Sequence, residues 1–70
     1  GVSRSGLTAR EDQVLRLLSD GLPNKDIAAE LGITPKSVMH HTCSIYRKLG
    51  VRSRLEAVTT ATRRGLLPVD

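Results

Sequence analysis

Residues 24–50 read NKDIAAELGITPKSVMHHTCSIYRKLG and decide the fold of this chain. Apolar residues at helical spacing predict a short helix over 24–31 and a longer one over 35–49. Residues 32–34, Gly-Ile-Thr, lie between the two helices and are expected to form a turn. Thr34 followed by Pro35 is typical of a helix start, because the Thr hydroxyl accepts from a free N–H and Pro tolerates the first position.

Two further helices are expected on either side of this pair. TARE at 8–11 has the spacing of a capping box and predicts a helix over 9–19. SRLE at 53–56 has the same spacing and predicts a helix over 54–64. Asn24, a good N-cap residue, is expected to cap the second helix. The sequence therefore predicts an all-α, four-helix fold, with a core of Leu, Ile, Val and Ala because the chain has one Tyr and no Phe or Trp.

Seventy residues suffice for one small domain. We expect a linker or an expression remnant over 1–6, the folded domain over 7–67 and a short tail over 68–70. Cys43 is the single cysteine, so an internal disulfide is excluded and a reducing compartment, the cytoplasm, is favoured. No apolar run approaches the roughly 20 residues that span a bilayer, and no signal peptide is visible.

Charge is unevenly distributed along the chain. Residues 7–30 contain three basic and five acidic residues, whereas residues 31–55 contain five basic residues and no acidic one. A one-signed segment beside an acidic one favours a polyanionic partner, although a solvated charged surface would have the same composition.

The longer helix has two faces. Val38, Ile45 and Leu49 form a buried stripe, and His41 lies at its rim. Residues at i, i+3, i+4, i+7 and i+11 form the opposite, exposed stripe: Lys36, Met39, His40, Cys43 and Arg47. This exposed face therefore has an uncharged centre and positive ends.

A short helix, a three-residue turn and a longer helix with an exposed mixed face are typical of the helix-turn-helix motif. The second helix of that motif fits the major groove of duplex DNA. Cations near its two ends, Lys36, Arg47 and Lys48, would contact the phosphates, while the uncharged centre would meet base edges.

Five runs of the chain resemble one family, the LuxR-type helix-turn-helix domain. They are Leu-Thr-x-Arg-Glu at 7–11, Asn-Lys-x-Ile-Ala at 24–28, Ser-Val-Met-His-His at 37–41, Lys-Leu-Gly-Val at 48–51 and Ser-Arg-x-x-Ala at 53–57. Such domains are the DNA-binding output part of bacterial quorum-sensing regulators and of many response regulators. The resemblance implies binding of double-stranded DNA and an N-terminal regulatory domain in the same protein. No cofactor is expected.

The resemblance also implies roles for individual residues. Its base-reading positions correspond to Met39, His40 and Cys43. Its backbone-contacting positions correspond to Asn24, Lys25, Thr34 and Ser37. Two of these residues depart from the family. A basic residue is usual at the position of Met39, and a small polar or basic residue is usual at the position of Cys43.

The fourth helix is expected to form a homodimer on DNA, as in the resembled family. Leu55, Thr59 and Thr62, at i, i+4 and i+7, form a weakly apolar stripe suited to a two-fold contact. Two recognition helices would then lie one turn of DNA apart.

A metal site and an enzyme are weaker interpretations. His40 and Cys43 share the exposed face, but structural zinc takes four ligands and catalytic zinc three. No third group is evident that would orient this pair for catalysis. Glu11 is interpreted as a cap and an anchor at the core edge, paired with Arg54 or Lys48.

A protein-docking module on the same helix-turn-helix scaffold is the alternative to a DNA-binding domain. Met39 and Cys43 make the exposed face less cationic than is usual for DNA contact. Weak duplex binding at any salt concentration would favour this alternative.

Overall fold

A computed structural model describes residues 6–67, and within them the chain forms four α-helices. They are α1 (Ala9–Ser19), α2 (Asn24–Leu31), α3 (Pro35–Leu49) and α4 (Arg54–Arg63). The expected all-α fold is confirmed, and α4 ends one residue before the expected position because Arg64 is its C-cap. Except for Gly6, the expected linker over 1–6 and tail over 68–70 lie outside the described residues.

The capping box at the start of α1 is complete. The Thr8 hydroxyl accepts from the Glu11 N–H at 3.1 Å, and the Glu11 carboxylate accepts from the Thr8 N–H at 2.8 Å. Two of the free N–H groups at the helix start are thereby satisfied.

The expected cap of α2 was wrong. Pro23, with extended backbone angles, is the N-cap, and Asn24 is the first helical residue. The Pro23 carbonyl accepts from the N–H groups of Asp26 and Ile27 at 2.9 and 3.0 Å, so Asn24 belongs to the first turn and the cap position falls on the residue before it. No side-chain hydrogen bond caps α2.

A tight turn at Gly32 and Ile33 connects α2 to α3 and fixes the direction in which α3 leaves α2. Gly32 has a φ of +67°, a left-handed conformation that glycine adopts without steric cost. The Ile33 N–H then donates to the Ala28 carbonyl at 3.0 Å. Thr34 caps α3 by accepting from the Ser37 N–H at 3.1 Å, and Pro35 occupies the first turn, as predicted.

The second expected capping box is half formed. The Ser53 hydroxyl accepts from the Glu56 N–H at 3.2 Å and so caps α4. Glu56 itself is exposed, and within residues 6–67 no hydrogen bond joins its carboxylate to the Ser53 N–H.

The core lies between α3 and the three other helices, all of which pack against it. Its buried side chains are aliphatic, as expected from the composition: Leu7, Val14, Leu15, Leu18, Ile27, Ala28, Val38, Ile45, Leu49, Ala57 and Ala61. Thr42 is the polar member of the buried stripe of α3, and its hydroxyl donates to the Val38 carbonyl at 2.8 Å. Within residues 6–67, no other helix packs against the opposite face of α3.

Candidate nucleic-acid interface

The outer face of α3 is open along its whole length. All five residues of the predicted stripe are exposed: Lys36, Met39, His40, Cys43 and Arg47. We refer to these five residues as the outer face. Half-buried His41 lies at its rim, so the two adjacent histidines occupy different environments, as predicted.

Charge on the outer face is confined to its ends. Lys36 lies in the first turn of α3 and Arg47 in the last, eleven residues apart, or about 16 Å along the helix axis. That separation exceeds the roughly 12 Å width of the major groove, so the two cations can approach opposite phosphate walls. The α3 sequence contains no Asp or Glu that would repel a phosphate.

Lys48 differs from the other two cations. Its ammonium lies 2.7 Å from a carboxylate oxygen of Glu11, whose side chain is 6% exposed, while the Lys48 side chain is 36% exposed. This ion pair joins the end of α3 to the start of α1. Of the two partners expected for Glu11, Lys48 is therefore the one that pairs with it. Arg54 instead donates to the Leu22 carbonyl and connects α4 to the loop before α2.

The pKa of Glu11 reflects this environment. Burial raises the pKa of the carboxyl, but hydrogen bonds from Lys48, Ser44 and the Thr8 backbone, together with the Lys48 charge, lower it to about 2. Glu11 is therefore ionised at neutral pH and forms an ion pair with the Lys48 ammonium. Ser44 was not among the predicted residues, although its position four residues before Lys48 places it on the same flank of α3.

The predicted backbone-contacting residues lie at the starts of the two helices. Asn24 and Lys25 are exposed in the first turn of α2, and Thr34 is exposed beside half-buried Ser37. The Thr34 hydroxyl donates to the Ser37 hydroxyl at 3.1 Å while it accepts from the Ser37 N–H. Helix starts carry outward-pointing N–H groups and partial positive charge, which favour a phosphate nearby.

The predicted dimer stripe is exposed on α4. Leu55 is 76% exposed, and Thr59 and Thr62 are exposed along the same face. A shallow groove runs beside Leu55 between α4 and the end of α3, and it is lined in part by Val51 and Thr60. This groove was not predicted from the sequence, because its two sides come from different helices.

No group of three or more His, Cys, Asp or Glu side chains is arranged to hold a metal ion in the described range. Cys43 is a free, exposed thiol beside His40. None of the helices between residues 6 and 67 has the length and apolar character needed to cross a membrane.

A family model described as bacterial regulatory proteins, luxR family, matches residues 5–61. The transcriptional regulatory protein YdfI of Bacillus subtilis is 45% identical over 64 residues, which cover 91% of this chain and 30% of YdfI. The transcriptional regulatory protein FixJ of Azorhizobium caulinodans is 41% identical over 66 residues, which cover 94% of this chain and 31% of FixJ. A candidate HTH-type transcriptional regulator of Mycobacterium bovis is 49% identical over 59 residues, which cover 84% of this chain and 7% of the relative. The chain therefore spans less than a third of each of these curated relatives.

Three solved structures have the same four-helix fold over most of this chain. The transcription factor GerE matches with a TM-score of 0.83 at 38% identity, covering 91% of this chain and 96% of GerE. The response regulator ChrA of a heme-sensing two-component system matches with a TM-score of 0.85 at 42% identity, covering 91% and 32% of the two chains. The VqmA dimer of Vibrio cholerae, a LuxR-type receptor with a target DNA, matches with a TM-score of 0.84 at 34% identity, covering 89% and 29%.

Proposed function

Because this chain belongs to the luxR family of bacterial regulatory proteins and carries their DNA-binding helix-turn-helix domain, we propose that α3 enters the major groove of a specific operator. The observation that carries this proposal is the outer face of α3, which is exposed at all five positions, free of acidic residues and cationic at both ends. The domain thereby regulates transcription in the bacterial cytoplasm.

The ends and the centre of the outer face have different tasks. Lys36 and Arg47 neutralise phosphates, which supplies affinity and sets the position of the helix without reading sequence. Met39, His40 and Cys43 lie against base edges and supply discrimination. Asn24, Lys25, Thr34 and Ser37 contact the sugar–phosphate backbone beside the groove.

Lys48 also contacts the DNA backbone, but it contributes less to the affinity for DNA. Its ammonium can meet a phosphate only while it shares its charge with Glu11, so its direct contribution to affinity is smaller than that of Lys36 or Arg47. Its larger effect is to hold the end of α3 against α1.

Two chains pair through α4 on the DNA. The exposed side chain of Leu55, with Thr59 and Thr62 beside it, supports this proposal, as does the dimeric state of the similar VqmA. The patch is small, so pairing is weak without DNA and becomes effective when two half-sites hold the chains together.

An N-terminal regulatory domain in the same protein controls this output domain. The similar response regulator ChrA supports this proposal, because its matched part is 32% of its chain. YdfI and FixJ are likewise about three times longer than the part that matches.

Salt dependence of duplex binding tests the proposal. The logarithm of the binding constant is expected to fall linearly with the logarithm of salt concentration, and Lys36→Ala and Arg47→Ala should each reduce the slope by about one. Both variants should weaken binding to all sequences about equally. Arg16→Ala is the matched control, because it removes an exposed cation of α1 that has no proposed contact with DNA or with a second chain. Weak duplex binding at every salt concentration would instead support the protein-docking module.

A further inference from the structure

The centre of the outer face has an apolar side formed by Met39 and Cys43. Met39 is 54% exposed, and it and Leu55 are the two large hydrophobic side chains exposed within residues 6–67. Leu55 lies on α4, so Met39 is the large apolar group that α3 offers to a partner. We infer that Met39 reads the 5-methyl group of a thymine in the major groove. This inference rests on the proposed function.

The chemistry of the four bases favours thymine. Guanine is read by donors such as Arg or Lys, adenine by the amide of Asn or Gln, and cytosine by an acceptor such as Asp or Glu. The α3 sequence contains no Asn, Gln, Asp or Glu, and its Lys and Arg residues lie in the first and last turns. A thioether donates no hydrogen bond, but it is flexible and polarisable and packs well against a methyl group. His40, on the other side of the face, supplies the hydrogen bond to a base edge or phosphate.

The spacing of the apolar pair predicts how far the thymine requirement extends. Met39 and Cys43 are one turn apart, or about 6 Å along the helix. Base pairs are stacked at about 3.4 Å, so the two side chains face positions about two base pairs apart. The shorter Cys43 side chain gives the weaker contact. Each half-site should therefore contain one preferred thymine, with a second, weaker thymine preference about two base pairs away.

The test begins with selection of duplexes from a random-sequence pool by the unmodified chain. The selected duplex is then resynthesised with deoxyuridine at one thymine position at a time, which removes a single methyl group and leaves base pairing intact. Loss of one buried methyl group corresponds to about 0.8 kcal/mol, so the dissociation constant of the parent should rise about fourfold at the position beneath Met39. The same replacement should affect Met39→Ala much less.

His40→Ala is the matched control on the same face. It should change which bases are preferred elsewhere in the site but keep the difference between thymine and uracil. Equal effects of uracil on the parent and on Met39→Ala, or no effect at any position, would overturn the inference while leaving DNA binding intact. Failure of the parent to enrich any sequence from the pool would overturn the proposed function itself.

Discussion

Glu11 performs two structural tasks with one carboxylate. It accepts the Thr8 N–H at 2.8 Å to complete the cap of α1, and it accepts the Lys48 ammonium at 2.7 Å to hold the end of α3. The pKa of about 2 lies below the ordinary value of 4.5, so the ionised form is stabilised by folding. This contribution is fully present above about pH 4.5 and is lost as the pH falls toward 2.

Glu11→Gln separates these two tasks, because Gln also completes a capping box but carries no charge. We expect the variant to be about 2 kcal/mol less stable at pH 7, a value that allows for the partly exposed Lys48. Between pH 4.5 and pH 2 the parent should lose more unfolding free energy than the variant. Urea denaturation at several pH values measures both quantities. Lys48→Met should flatten the pH dependence in the same way, and parallel curves for parent and variants would contradict the prediction.

At the scale of the element, the start of α3 depends on one hydroxyl. Thr34 accepts the Ser37 N–H at 3.1 Å and donates to the Ser37 hydroxyl at the same distance. Because α3 contributes both the buried stripe and the outer face, fraying of its first turn would loosen Lys36 as well as the core contact of Val38.

Thr34→Ala is expected to lower the unfolding free energy by about 1 kcal/mol, because it leaves the Ser37 N–H without its cap. Thr34→Ser keeps the hydroxyl and should stay within about 0.5 kcal/mol of the parent. Chemical denaturation with unchanged m-values measures the difference. Equal stabilities of the Ala and Ser variants would show that the hydroxyl does not stabilise α3.

At the scale of the whole molecule, α3 and α4 leave two exposed surfaces with different chemistry. The outer face is cationic at both ends, and the α4 stripe is weakly apolar around Leu55. A two-fold pair through α4 would place two outer faces on the same side of a duplex, about 34 Å apart for half-sites one helical turn apart.

Leu55→Glu should abolish the complex of two chains on a two-half-site duplex, because it places like charges opposite each other across the two-fold axis. The fold should be unaffected, since Leu55 is 76% exposed. Gel mobility on duplexes with one and two half-sites distinguishes the complexes. Leu55→Ala, which removes apolar area without adding charge, should weaken pairing less. Normal cooperative binding by Leu55→Glu would exclude this surface as the dimer contact.

The sequence by itself determined the four helices and the two faces of α3. Caps act between residues three apart, as at Thr8–Glu11 and Thr34–Ser37, so short sequence patterns contain both partners. The two faces of α3 also follow from a local pattern. The spacing of residues along a helix fixes the face on which each side chain lies. The same local rules failed at Asn24, because the N-cap position falls on Pro23, whose carbonyl accepts the first backbone hydrogen bonds of α2.

Only the tertiary structure decided which basic side chains bind to other groups of the domain and which stay exposed. The sequence narrowed the partner of Glu11 to Lys48 or Arg54, but Lys48 lies 37 residues away along the chain. The choice depends on how α3 crosses α1, and that crossing follows from packing of the aliphatic core as a whole. The same packing directs Arg54 to the Leu22 carbonyl, 32 residues away, and leaves Lys36 and Arg47 exposed for a partner. Side chains far apart in the sequence meet only after the helices have packed, so no local pattern contains this information.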